Sequence, residues 1–298
     1  MNSRAIRQFG AIAILVASVG VSLYFFKTHP AIWQELKKTP LSTLATVLGL
    51  YLVFIATLGF VFKATIMMCR TTIGNGEMLL LTAYSSIINF FGPLQSGPAF
   101  RALYLKKKHD INLKHFALAS LLNYALYAIF SGLFLISGFI GWWALPLGAL
   151  ALGALYYLPK LPFKQAQRFQ ALDLTAISYM SLAVLAQVTV MAVIFYVELH
   201  SIDPTVGVGQ AIIYTGAANF ALFVSITPGA IGFRESFVFL AHRLHGIDNA
   251  TVVASSLIDR GVYVAMLLGL IVIIFFSRSG KSLRSLRKTD TPPTANSQ

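Results

Sequence analysis

The chain has 298 residues, of which 57% are hydrophobic and only 11% charged, with a formal charge of +13. A water-soluble domain carries about 25% charged residues, and so thin a polar cover excludes an exterior that faces water throughout. The basic excess falls in short loops and the tail, where anionic headgroups and the positive-inside bias account for it, so nucleic acid is set aside as a partner. The single Cys69 excludes an intramolecular disulfide.

Arg4 and Arg7 precede an apolar run from Ala11 to Phe26, in the manner of a signal peptide. The run is long for such a segment, and Lys27-Thr28-His29-Pro30 follows it with no small-x-small cleavage site, so it reads as a retained first helix. Leu41–Phe62, Phe116–Phe139, Leu172–Val197 and Val252–Phe276 are apolar runs of spanning length. Gly141–Leu158 is shorter and holds Pro146, but Trp142-Trp143 gives it an interfacial anchor. Ser277 to Gln298 is basic and ends in a Thr/Pro/Ser-rich stretch, the composition of a disordered tail.

Two segments are interrupted. Met78–Lys108 breaks at Phe91-Gly92-Pro93-Leu94-Gln95-Ser96-Gly97-Pro98 and resumes as Ala99–Leu105. Gln210–Leu244 breaks at Thr227-Pro228-Gly229-Ala230-Ile231-Gly232 and resumes at Phe233. Gly and Pro at this density stop a helix, and the backbone groups they free must face protein or a water-filled cavity, not lipid. Basic residues flank the first segment on both sides (Lys63 and Arg70, then Arg101, Lys106, Lys107, Lys108 and Lys114), so both its ends read as cytoplasmic. Glu198 and Asp203 precede the second without a basic residue, and that side reads as external.

The expected fold is therefore all-α and integral to the membrane, with about six spanning helices over residues 1–276 and both termini cytoplasmic. Segments 78–105 and 210–244 are expected as two re-entrant, broken-helix hairpins that enter from opposite faces, the arrangement of an inverted repeat. Ordinary Pro-kinked spans would give the same hydropathy. The 27–40 loop is the exception to the charge rule, since it would place Lys27, Lys37 and Lys38 outside.

After each break a helix restarts inside the membrane. Pro98 suits an opening helical position and Arg101 follows one turn on, while Arg234 and Glu235 occupy the first turn of the second restart. Helix N-termini attract anions, and an arginine there adds bidentate contacts to a phosphate. Arg101 reads equally as a snorkelling interfacial anchor. Glu235 and the Asp259-Arg260 pair are the other costly residues in apolar surroundings. A Glu235–Arg260 contact is plausible there, either as a working site or only as a lock on the bundle. Asn89, Gln95, Ser96, Asn123, Gln187, Asn219, Ser225 and Thr227 are candidate cavity-lining residues, or else helix–helix glue. His242 and His245 stand at i, i+3 with no third ligand in view, and no G-x-S-x-G, H-E-x-x-H or P-loop pattern occurs. No catalytic residue, metal or cofactor is assigned.

Thr227-Pro-Gly-Ala-Ile-Gly-Phe-Arg-Glu235, followed by Asp259-Arg260-Gly261, resembles a signature of the flippase-like transmembrane region of lysylphosphatidylglycerol synthases and its stand-alone bacterial and archaeal relatives. Asn89…Pro93…Gly97-x-x-x-Arg101 is similar to the family's first-half motif, and the resemblance covers most of residues 5–276. It implies that Gly229, Gly232, Glu235 and Arg260 match the second-half motif, and Gly97 and Arg101 the first. Pro98 stands where the family carries an acidic residue, and Asn123-Tyr124 replaces an acidic–basic pair. No aminoacyl-transferase domain follows Phe276, so the resemblance implies translocation rather than synthesis.

The resulting expectation is a transporter or flippase-like protein of the bacterial plasma membrane that moves an anionic lipid or polyprenyl-phosphate-linked lipid between leaflets. Arg101, Arg234, Gly97, Gly229, Gly232, Asn89 and Asn219 would bind it, and Glu235, Asp259 and Arg260 would gate it or form ion pairs. The alternative is a non-catalytic membrane partner of a lipid-modifying or glycosyl-transferase enzyme.

Overall fold

The computed structural model describes residues 27, 34, 37–91, 96–157, 174–224 and 233–289. The Ala11–Phe26 run, Gly229 and Gly232 lie outside them, as do Gln95, Ser225 and Thr227. The described elements are helices, in the order α1 (Leu41–Met68), α2 (Asn75–Phe91), α3 (Gly97–His109), α4 (Leu113–Ile140), a 3-10 turn (Gly141–Trp143), α5 (Ala144–Tyr157), α6 (Leu174–Ile202), α7 (Val208–Val224), α8 (Phe233–Leu240), α9 (His242–His245) and α10 (Asn249–Thr289).

Among the described residues four helices are long and apolar enough to cross a membrane: α1, α4, α6 and the Asn249–Ile274 part of α10. Their outer faces carry large apolar side chains in the open, such as Leu52, Leu121, Leu182 and Ile273. In water such a surface is unstable, and in lipid it is the expected one. The protein is a multi-pass membrane protein.

Several boundaries differ from those read in the sequence. α5 has 14 residues, about 21 Å of helix, and falls short of a hydrocarbon core of about 30 Å. α6 runs five residues beyond Val197, to Ile202, and takes Glu198 into the packed interior instead of leaving it in an external loop. α10 continues past Phe276 to Thr289, the last described residue, over a stretch whose Leu, Arg, Lys and Ser suit a helix.

The ends are set by local chemistry. α1 stops in a Schellman turn, with Arg70 in the left-handed region (φ 51°), its N–H bonded to Met67 O at 2.9 Å and that of Thr71 to Ile66 O at 3.3 Å. Lys106, Lys107, Lys108 and His109 crowd the last turn of α3, where cations complement the helix dipole. Asn112 then caps α4, its Oδ1 accepting from Lys114 N at 2.9 Å.

Both interrupted segments fold back on themselves. α2 packs on α3, and Glu77 in the first turn of α2 meets His109 (2.8 Å) and Lys108 (2.9 Å) at the end of α3. Partial burial works to raise the Glu77 carboxyl, but hydrogen bonds with His109, Lys108 and Tyr104 outweigh it and bring it down to about 2. α7 packs on α8, and Gln210 Nε2, in the first turn of α7, donates to His245 O at the end of α9 (2.9 Å). In each segment the described arms thus pack on each other and touch at their outer ends.

The hairpins are held closely by small residues. A methyl group on Gly97 would lie 2.6 Å from Ser85 O of α2, and one on Gly216 of α7 would lie 2.4 Å from Leu135 N of α4. α1 packs along α6 and α4 along α7. The core they enclose is built on Tyr51, Phe195, Tyr214, Ile258 and Leu267.

Candidate functional site

The second arm of each interrupted segment delivers an arginine from near its start to one cavity. Its volume is about 280 Å³, and Arg101 of α3 and Arg234 of α8 both line it. Asn89 and Ser85 of α2, Asn123 and Tyr124 of α4, Gln187 of α6 and Asn219 of α7 supply the rest of its polar wall. Tyr51, Phe90, Phe195 and Tyr263 supply apolar surface. Polar groups converging in an apolar concavity are the pattern of a small-molecule site.

Arg101 is half-buried, so its side chain turns inward rather than out to an interface. Its Nε donates to Ser85 Oγ at 2.5 Å, and its guanidinium stands 4.7 Å from the Phe62 ring centre. The α3 N-terminus is fixed beside it: Asn89 Oδ1 accepts from Gly97 N at 3.4 Å, and Ser96 Oγ donates to Ile88 O at 3.3 Å. Gly97 therefore does two things, lining the cavity and letting α3 approach α2.

Arg234 is only 8% exposed. Its Nη1 donates to Asp259 Oδ2 in a buried ion pair, and Tyr51 Oη donates to the other carboxylate oxygen, Oδ1. Phe195 lies under the guanidinium, 4.6 Å from ring centre to Cζ. Arg234 Nε and Nη2 have no hydrogen-bond partner among the described residues, and neither do Asn123 Oδ1 and Asn219 Nδ2. Unpaired buried donors cost about 1–3 kcal/mol each, more for a charged group. Three of these atoms are donors (Arg234 Nε, Arg234 Nη2 and Asn219 Nδ2) and one, Asn123 Oδ1, is an acceptor.

The structure brings Arg101, Arg234, Asn89, Asn219, Gly97, Asp259 and Arg260 to this one cavity. Arg260 is 6% exposed on its wall and has further interactions. The backbone of Glu235 sits in the first turn of α8, and its side chain lies outside the described set, so the Glu235–Arg260 contact does too. The buried ion pair that is described joins the neighbouring residues, Arg234 and Asp259. Tyr51 and Ser85 take part without having been singled out by sequence, since a tyrosine or serine inside an apolar run carries no signal.

His242 and His245 hold backbone. His245 Nε2 contacts Val238 O and its Nδ1 accepts from Ile247 N, while His242 Nδ1 contacts Ile247 O. Among the described residues no cluster of three metal-ligating side chains occurs.

The sequence model described as "Lysylphosphatidylglycerol synthase TM region" matches residues 9–271. The chain belongs to this family. The match takes in both hairpins, every described residue of the cavity wall and most of α10. No curated protein matches the chain. Pro98, Asn123 and Tyr124 stand on the wall of the same cavity.

Proposed function

We propose that this protein moves an anionic lipid, a phospholipid or a polyprenyl-phosphate-linked lipid, between the leaflets of the bacterial plasma membrane. On this reading the α2–α3 hairpin enters from the cytoplasmic face and the α7–α9 hairpin from the opposite face, with both chain termini in the cytoplasm. The closed ends of each hairpin support re-entrance, and Lys106, Lys107 and Lys108 at the α3 end support a cytoplasmic mouth for the first.

One observation carries the reading: arginines near the starts of α3 and α8 share a polar-walled cavity of about 280 Å³. This is close to the roughly 300 Å³ at which ligand pockets begin. It accommodates a phosphate-bearing headgroup while the acyl chains stay in lipid. Arg234 would take phosphate oxygens on Nε and Nη2, a paired-donor geometry that lysine lacks. Arg101, Asn89 and Asn219 would complete the shell, with Gly97 keeping the α3 N-terminus close. Gly229 and Gly232 are kept as further substrate-binding residues, and Glu235, Asp259 and Arg260 as a gating or ion-pair group, with Gly229, Gly232 and the Glu235 side chain resting on sequence alone.

The test is translocation by the purified protein in liposomes, read as dithionite-accessible fluorescence of tail-labelled phosphatidylglycerol and phosphatidylcholine. The expected result is faster exchange of phosphatidylglycerol than in empty vesicles. It should fall at least tenfold in Arg101→Ala and Arg234→Lys, with phosphatidylcholine little moved. A tenfold loss is about 1.4 kcal/mol of barrier, the scale of one charged hydrogen bond. No acceleration with phosphatidylglycerol or a polyprenyl phosphate would refute translocation and favour a non-catalytic partner of a lipid-modifying enzyme.

A further inference from the structure

One buried acid in the core is not used by the anion site. Glu198 of α6 is fully buried (0% exposed). Its Oε2 accepts one long hydrogen bond from Ser255 Oγ of α10, at 3.3 Å, and its Oε1 has no partner among the described residues. No basic group lies within ion-pair distance of it among those residues, since Arg234 is bonded to Asp259. An ionised carboxylate held this way costs several kcal/mol, whereas a neutral acid needs little compensation.

Ser255 and Asp259 are four residues apart on α10 and so lie on one helix face, which puts Glu198 beside the ion pair. The titratable and charged groups around the two acids come from each element packed there. They are Tyr51 from α1, Tyr214 from α7, Arg234 from α8, and Tyr263 and Arg260 from α10. Farther out, His245 of α9 stands edge-on to Tyr214 at 5.9 Å, and His200 is held on Val206 O. Two acids thus share Arg234.

We propose that Glu198 and Asp259 form a proton site tied to the anion site, in which Glu198 carries a proton and Asp259 binds another when an anionic headgroup draws Arg234 away from it. This rests on the anion-site reading above. Arg101 and Arg260 stay charged throughout, so the change is confined to Arg234, Asp259 and the anion. Before binding, Arg234 is positive, Asp259 negative and Glu198 neutral. Afterwards Arg234 pairs with the phosphate, and Asp259 is neutral with the proton taken from water through the cavity. Were Asp259 to stay ionised after losing Arg234, its buried carboxylate would keep the Tyr51 hydroxyl as its one described donor and lack a paired cation. One proton therefore accompanies each anion, and a pH gradient can drive the lipid.

The deciding experiment is isothermal titration of dihexanoyl phosphatidylglycerol, below its micelle concentration, into the full chain in detergent at pH 7. Buffers of different ionisation enthalpy give the proton count. The expected result is uptake of about one proton per lipid bound. Asp259→Asn should bind without proton uptake, and Glu198→Gln, which mimics the neutral acid, should keep the count. Infrared spectra of the wild type should show the carbonyl stretch of a protonated carboxylic acid, lost in Glu198→Gln. Binding with buffer-independent heat, or with proton release, overturns the proton site and leaves the anion site standing, as does a sodium-dependent heat without proton uptake. An infrared band that survives Glu198→Gln overturns the assignment of that proton. Absence of binding in the wild type overturns the anion site, and this proposal with it. Should Asp259→Asn fail to fold, the wild-type count and the infrared band still decide.

Discussion

Replacing Arg234 or Asp259 singly should cost far more stability than replacing both. The pair is buried, with side chains 10% and 5% exposed, and Asp259 also accepts from Tyr51, itself 2% exposed. Asp259→Leu leaves a guanidinium buried without its counter-charge, and Arg234→Met leaves a carboxylate with a single tyrosine donor. Breaking one side of such a pair costs about 3–5 kcal/mol, because the remaining charge is uncompensated. The double variant has no charge left to strand, and two apolar side chains of similar size replace the pair at little net cost. It still orphans the Tyr51 hydroxyl, for about 1–3 kcal/mol, and adding Tyr51→Phe should recover most of that. The assay is a double-mutant cycle on unfolding of the detergent-solubilised protein, followed by loss of helical circular dichroism. We expect a coupling of about 2 kcal/mol or more, well above the ~0.6 kcal/mol averaged by ordinary hydrogen bonds between membrane helices. Additivity within about 0.5 kcal/mol would mean that the two side chains do not depend on each other in the folded protein. The charge arguments for the cavity would fall with it.

Three further outcomes follow from the packing. Gly216→Ala drives a methyl group into backbone, 2.4 Å from Leu135 N and 2.7 Å from Ser131 O; α7 must then move off α4, at about 1–3 kcal/mol in thermal unfolding. Gly97→Ala meets Ser85 O at 2.6 Å, so it should loosen α2 from α3 and slow phosphatidylglycerol exchange more than it lowers the melting temperature. Glu77 ties the two ends of the first hairpin, outside the 78–105 segment, and its carboxyl is held down at about 2 against an ordinary 4.5. A depressed acid stabilises the fold fully above its unfolded value and loses that contribution as pH falls through its folded value. The melting temperature of the wild type should therefore exceed that of Glu77→Gln above pH 4.5, and the gap should close between about 4.5 and 2. A gap that persists unchanged to acid pH would refute the ionic tie.

The parts of the fold legible in the sequence are those that lipid dictates. Runs such as Leu41–Phe62 and Phe116–Phe139 announce spans because every outward position must be apolar, and the Gly/Pro breaks at Gly92-Pro93 and Pro228-Gly229 announce interruptions because no helix continues through them. Arg101 and Arg234 stood out for the same reason, as charges just past a break. Pairing is a different kind of information. The sequence sets Asp259 beside its neighbour Arg260 and admits a Glu235–Arg260 contact, which lies outside the described residues, but it does not announce the described pair of Arg234 with Asp259 across α8 and α10. On a helix, adjacent residues point about 100° apart, so a one-residue difference decides which group faces the partner helix, and hydropathy has no term for helix rotation. The same blindness hid Glu198. A glutamate at the end of an apolar run reads as the start of a loop, because a charge is costly in lipid. That cost applies to the ionised form facing hydrocarbon, and Glu198 faces Ser255 and the Arg234–Asp259 pair instead. Its retention there at 0% exposure is hard to explain by packing alone, since leucine would fill the volume without leaving an unpartnered oxygen. A proton-binding role supplies the reason for keeping an acid at that place.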